Sequence, residues 1–96
     1  ADLRVDALAQ RSGMSPRNFA RIYTEETGMT PARAVEQMRV EAARAMLENP
    51  NVSIKTVAGQ TGFGNDERMR RSFARLLGVT PQAYRERFAV EMADSL

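Results

Sequence analysis

The chain contains no cysteine and no histidine. The first absence excludes a disulfide framework, a thiolate nucleophile and a cysteine-ligated zinc. The second removes the usual general base and the commonest metal ligand. Tryptophan is missing too, and lysine occurs once, at Lys55. No apolar run approaches the ~18 residues of a membrane span, so a membrane is not an expected partner. Glu25 and Glu26 are sequence neighbours on a helical stretch, and neighbours on a helix do not face each other as a catalytic dyad must. A glycine-rich phosphate loop is not present either. An enzyme is therefore not expected, and no cofactor or metal is expected.

What the chain does have is arginine. Of 96 residues, 14 are basic, and all but Lys55 are arginine. The formal net charge is only +2, yet the sequence pI is about 9.7. Arginine presents a planar fork that matches phosphate oxygens and guanine edges. The length suits one small domain with a modest core. Hydrophobic residues at 43% and charged residues at 27% are ordinary for a globular chain. The first residue is not Met, which fits a portion of a longer protein.

An internal repeat organises the chain. VDALAQRSGM, from Val5 to Met14, aligns with IKTVAGQTGF, from Ile54 to Phe63. Val5/Ile54, Leu8/Val57, Ala9/Ala58, Gly13/Gly62 and Met14/Phe63 match. Further on, Gly28/Gly78, Thr30/Thr80 and Pro31/Pro81 match as well. Two copies are too few for a solenoid and point to a duplicated unit.

Each unit reads as helix, short turn, helix, then a further helix. Asp6 to Ser12 forms the first, and Gly13 stops it. Ser15 is the N-cap of the next, with Pro16 at its first position. Met14 and Phe19 are placed to staple that start. Gly28 ends the helix, and Thr30-Pro31 opens a long one that runs to about Asn49, where Asn49-Pro50 stops it. In the second unit a helix from about Ile54 to Thr61 ends at Gly62. Asn65 caps the next, which ends at Gly78, and Thr80-Pro81 starts a last helix through about Val90. Sustained period-2 alternation is absent, so the expected fold is all-α, with about seven helices and no sheet. The expected organisation is a first helix-turn-helix at 3–29, a linker helix at 30–49, and a second helix-turn-helix with its last helix at 54–90.

At 100° per residue, Phe19, Ile22 and Tyr23 fall on one side of the helix that starts at Pro16. Arg17, Ala20, Arg21 and Thr24 fall opposite, with Asn18 on the flank. After Asn65, the buried stripe is Met69, Phe73, Leu76 and Leu77. Glu67, Arg68, Arg71 and Arg75 lie opposite it. Both helices thus expose arginine near their N-terminal ends, where a helix-turn-helix reads bases. Arginine can bind guanine O6 and N7, and glutamate can accept from cytosine N4. Ala20 gives room for close approach. The plainer reading is that these arginines are solvated and that Glu67 and Arg71 form an intrahelical pair.

A linker helix of about 20 residues would span roughly 30 Å. That is close to the ~34 Å between successive major-groove faces on one side of B-DNA. Its apolar positions Val35, Met38, Ala42, Ala45 and Met46 follow helical spacing and are expected to pack against both units.

From about Leu3 to Phe88 the chain resembles the DNA-binding domain of the AraC-type transcription regulators. The most specific stretch is GFGNDERMRRSFARLLGVTPQAYRERF, with Gly62, Phe63, Met69, Phe73, Gly78, Thr80, Pro81, Tyr84 and Arg85 at the family's signature positions. Met69 stands where the family more often has Phe. Asp66-Glu67 departs from the polar or small residues usual there. The run SPRNFAR with ERMRRSF is most similar to regulators carrying an N-terminal domain of the DJ-1 or glutamine-amidotransferase type, so a C-terminal portion of a two-domain protein is expected.

The resemblance implies sequence-specific binding of double-stranded DNA, with two recognition helices in successive major grooves. Arg17, Arg21, Glu67, Arg68 and Arg71 carry over as base contacts. Asn18, Ala20, Thr24 and Arg75 flank them, on base or phosphate. Ser15, Thr30, Asn65 and Thr80 at helix starts, with Arg39 and Lys55, are the phosphate candidates. One chain would bind one asymmetric two-block site, and the isolated domain is expected to be a monomer. A dimer is considered for the longer protein, and RNA polymerase as a further partner. The expected location is the cytoplasm, at the nucleoid. The alternative is a helical protein-interaction module, and DNA sequence selectivity separates the two.

Overall fold

Proline, glycine and short polar caps punctuate the helices. The computed structural model describes residues 9–11 and 13–94. Five helices follow one another: α1 (Pro16–Thr27), α2 (Pro31–Leu47), α3 (Ile54–Gln60), α4 (Asp66–Leu77) and α5 (Pro81–Asp94). Residues 9–11 are helical as well, so six helical segments stand against the expected seven, with no strand among the described residues. Most of the expected first helix, including Asp6, Leu8 and Ser12, lies outside the described residues, as do Leu3 and Val5. Among the described residues no helix is long and apolar enough to cross a membrane.

Two compact units divide the chain, residues 1–37 and 38–96. In the first, Ala9, Pro31 and Val35 are buried. Phe19, Ile22 and Tyr23 of α1 are half-buried, with the Phe19 and Tyr23 rings 5.8 Å apart. They occupy the inward face that helical spacing assigned to them, while Arg17, Asn18 and Arg21 are exposed.

The second unit holds a core of Val40, Ala43, Leu47, Val57, Ala58, Phe63, Met69 and Phe73. Phe73 meets the half-buried Tyr84 edge-on, with ring centroids 6.2 Å apart. Arg44 lies 5.4 Å from the Tyr84 ring centroid and donates to the Tyr84 hydroxyl at 3.3 Å. That hydrogen bond, reinforced by Glu41, raises the Arg44 pKa above its ordinary value.

The buried stripe of the linker helix is not the expected one. Met38 is 52% exposed, and Ala42 and Ala45 are exposed as well. Val40, Ala43 and Leu47 are the buried positions instead, at 0–1% exposure. Both sets repeat at helical spacing on an alanine-rich helix, but their centres differ by roughly 165° at 100° per residue. Burial followed the branched side chains, because Val40 and Leu47 remove more apolar area from water than Ala42 and Ala45 could. Of the expected set, Val35 is buried and Met46 half-buried.

Helix α2 also ends earlier than expected, at Leu47 after 17 residues, or roughly 25 Å at 1.5 Å per residue. Its last turn tightens, with Glu48 and Asn49 N–H donating to the Ala45 and Met46 carbonyls at 3.4 and 3.1 Å. The Asn51 N–H turns to the Asn49 side chain at 2.9 Å. The Leu47 carbonyl is taken by Arg85 Nε at 3.1 Å. At the other end of the unit, α5 runs to Asp94 rather than Val90. No glycine or proline interrupts it after Pro81.

Gly62 sits in the turn between α3 and α4 with φ +88°. A Cβ there would meet Arg39 Nε at 3.0 Å, and a non-glycine residue in this left-handed region is strained. Gly62→Ala is expected to cost about 1–2 kcal/mol. Gly59→Ala, inside α3 with nothing within 4 Å, is expected to gain about 0.5–1 kcal/mol. Thermal unfolding of the two variants beside the parent checks both signs.

Candidate nucleic-acid interface

The candidate surface is built from helix starts. Ser15 is the N-cap of α1, and its Oγ accepts from Asn18 N–H at 3.2 Å. Asn65 caps α4 in the same way, with Oδ1 accepting from Arg68 N–H at 2.8 Å. Thr30 and Thr80 accept from Arg33 and Ala83 N–H at 3.3 and 3.0 Å. Each cap is worth about 1 kcal/mol to its helix. Capping uses the acceptor of each side chain. The hydroxyl and amide hydrogens remain as donors, which is the half a phosphate oxygen needs. Ser53 caps α3 at 3.0 Å from Thr56 N–H and was not singled out from the sequence, although its place just before an apolar stretch is the usual cap signal.

On α1, Arg17 is exposed and makes no salt bridge or side-chain hydrogen bond within the described chain. Arg21 is held at both terminal nitrogens: Nη2 donates to Asn18 Oδ1 at 2.8 Å and Nη1 to Glu25 Oε1 at 3.2 Å. Thus α1 offers one unengaged guanidinium and one braced guanidinium, one turn apart. Ala20 and Thr24 are half-buried, and the Thr24 hydroxyl donates to the Ala20 carbonyl at 2.7 Å. Thr24 therefore has no hydroxyl hydrogen left for a ligand.

On α4, Met69 and Phe73 are buried and Leu76 and Leu77 half-buried, so Glu67, Arg68, Arg71 and Arg75 project outward. Glu67 is not a lone acceptor. Arg70 grips it with Nη2 at 2.6 Å from Oε1 and Nε at 3.0 Å from Oε2. Arg71 Nε donates to the same Oε1 at 3.1 Å. The Arg70 hydrogen bonds above all hold the Glu67 carboxyl below its ordinary pKa, against an opposing cost of desolvation and with a smaller contribution from the Arg71 bond. Glu67 in turn raises Arg70. Arg70 was missed in the sequence because only the i, i+4 pair was followed, and the i+3 position is equally a neighbour. Arg39 is half-buried over Gly62, and Lys55 is exposed on the first turn of α3.

Helix α3, the Gly62 turn and α4 together form a helix-turn-helix, whose second helix is capped at its start and carries arginine on its open face. The first unit repeats the turn, the cap and the arginine face around α1. A family model described as a helix-turn-helix domain matches residues 8–87. The chain belongs to this family, the AraC-type DNA-binding domains.

The HTH-type transcriptional regulator Rv1931c of Mycobacterium tuberculosis is 48% identical over 86 residues, covering 90% of this chain and 33% of that protein. The HTH-type transcriptional regulator GlxA of Rhizobium meliloti is 32% identical over 81 residues, covering 84% of this chain and 25% of its own length. Among solved structures, the DNA-binding domain of AdpA, a global transcriptional factor in complex with a target DNA, superposes with a TM-score of 0.85 at 36% identity. That match covers 94% of this chain and 81% of the AdpA chain. The chain spans about a third or less of the length of these curated relatives.

Proposed function

We propose that this chain binds double-stranded DNA sequence-specifically as the DNA-binding part of a transcription regulator. Helices α1 and α4 would each enter a major groove, at successive turns of one duplex. The observation that carries this reading is the twofold occurrence of a capped helix with an arginine face. The likeness to a domain solved on its target DNA supports it. Arg17 and Arg21 read bases from α1, and Arg68 and Arg71 from α4. Ser15, Thr30, Asn65 and Thr80 hold phosphates through the donors that capping leaves over. Arg39 and Lys55 add backbone contacts, and Asn18 and Arg75 flank the bases.

The two motifs differ in sequence, so one chain calls for an asymmetric site of two blocks rather than the palindrome of a symmetric dimer. The isolated domain acts as a monomer at the nucleoid. In a longer regulator, a DJ-1-like or glutamine-amidotransferase-like domain would carry effector sensing and dimerisation. Exposed acidic side chains would be available to RNA polymerase.

Selection of bound duplexes from a random library tests the reading. Two enriched blocks spaced by about 10 bp are expected, and no enrichment would sink it. On the selected site, Arg17→Ala and Arg21→Ala are each expected to lose about 1–3 kcal/mol of binding, confined to the block read by α1. Equal loss on random duplex would assign these arginines to phosphate.

A further inference from the structure

Glu67, which with Asp66 makes the first turn of α4 acidic, looks out of place on a DNA-facing helix, since a bare carboxylate there repels phosphate. Its hydrogen bonds give it another role. Glu67 treats its two arginines differently. Arg70 is bound along one edge by two bonds, one to each carboxylate oxygen. Arg71 is bound by Nε alone, so both of its terminal nitrogens remain unengaged. The exposures agree: the Arg71 side chain is 71% exposed and that of Arg70 52%. The end-on pair of nitrogens on Arg71 is the edge that reaches guanine O6 and N7 in a bidentate contact. A guanidinium held at Nε also loses less rotamer freedom when it docks.

We propose that Glu67 is the positioning and specificity-determining residue of the second motif: it holds Arg71 with its terminal fork presented to a guanine, and it neutralises Arg70 so that Arg70 adds no sequence-blind attraction to phosphate. The proposal rests on the DNA-binding reading and deepens it. Glu67 then acts through Arg71 rather than by accepting from a cytosine. The first motif makes the contrast visible. There Arg21 is braced by one bond from each terminal nitrogen, to Asn18 and Glu25, each keeping a second hydrogen for a base, and the unengaged guanidinium is Arg17.

The test compares Glu67→Ala, Glu67→Gln, Arg71→Ala and the Glu67→Ala/Arg71→Ala double variant with the parent. Each is titrated on the selected duplex, on one scrambled only in the α4 block, and on random duplex, across a series of salt concentrations. Glu67→Ala is expected to lose about tenfold of its preference for the intact α4 block. Its affinity for random duplex should rise, and the slope of log K against log salt should steepen by about one, as Arg70 becomes an additional phosphate contact. Glu67→Gln keeps an acceptor for Arg71 Nε without the charge, so it should retain more of the preference while still gaining on random duplex. In the Arg71→Ala background, removing Glu67 should leave the preference unchanged.

Loss of α4-block preference that persists when Arg71 is already absent would overturn the proposal, because Glu67 would then read a base itself. So would an unchanged preference and salt slope in Glu67→Ala, or a parent that selects only the α1 block. A parent without preference at either block would instead reject the DNA-reading conclusion itself. Circular dichroism melts of the variants separate these effects from fraying of α4.

Discussion

Arg85→Ala is expected to lower stability by about 3 kcal/mol and the melting temperature by roughly 12–24 °C. Arg85 is half-buried on α5, and its guanidinium donates to three backbone carbonyls. Nε reaches the Leu47 oxygen at 3.1 Å, and Nη2 reaches Asn49 at 3.2 Å and also Val52. These are the orphan acceptors at the end of α2 and in the turn that follows it. A charged donor on a carbonyl is worth more than a neutral one, and alanine would leave acceptors unpaired at part-buried positions. Arg85→Lys should recover only a fraction, since one ammonium cannot span the three carbonyls with a planar fork. Urea unfolding reads the effect. A change below about 0.5 kcal/mol, the range of ordinary surface substitutions, would show that water replaces the guanidinium without penalty. The family-signature arginine beside Tyr84 thus closes the C-terminal end of α2 and the turn after it.

Phe73→Ala is expected to cost about 3–5 kcal/mol, the range for removing a buried aromatic ring from a packed core. Phe73 is fully buried, packs with Met69, Leu47 and Val40, and meets Tyr84 edge-on at 6.2 Å. The total stability of a domain this small is about 5–15 kcal/mol, so the variant would be close to its folding limit at 37 °C. Function should suffer through the same ring. Met69 and Phe73 hold the inner face of α4, so Arg68 and Arg71 lose their platform when it goes. Phe73→Leu keeps most of the apolar volume and should retain most of both stability and DNA binding. Thermal melts paired with duplex titration check this. If α4-block selectivity survived Phe73→Ala at temperatures where the protein is folded, the helix would be held by its cap and turn alone.

Local chemistry was legible in the sequence. The cap at Ser15 bonds three residues ahead, as do those at Thr30, Asn65 and Thr80. The terminating glycines 28 and 78 follow their helices directly and return their N–H groups to carbonyls four or five residues back. The outward face of α4 was legible too, because Met69, Phe73, Leu76 and Leu77 form one unambiguous stripe. On α2 the same reasoning failed. Met38, Ala42 and Ala45 make as good a helical stripe as Val40, Ala43 and Leu47, and periodicity cannot choose between two apolar faces. The stripe that α3, α4 and α5 cover is the one that became core.

The sequence by itself determined where the helices start and which arginines of α1 and α4 face outward. Those outcomes depend on hydrogen bonds and side-chain spacing within about five residues, so the order of residues is enough to settle them. Only the tertiary structure decided which face of α2 is buried, that Arg85 closes the end of that helix from 33 to 38 residues away, and that Arg44 lies against Tyr84. These pairings depend on how distant segments return to one another, which no local spacing encodes. The division of Glu67 between Arg70 and Arg71 lies between the two cases. The helix makes both arginines neighbours of Glu67, but the rotamers that the packed surface leaves open determine how each is held.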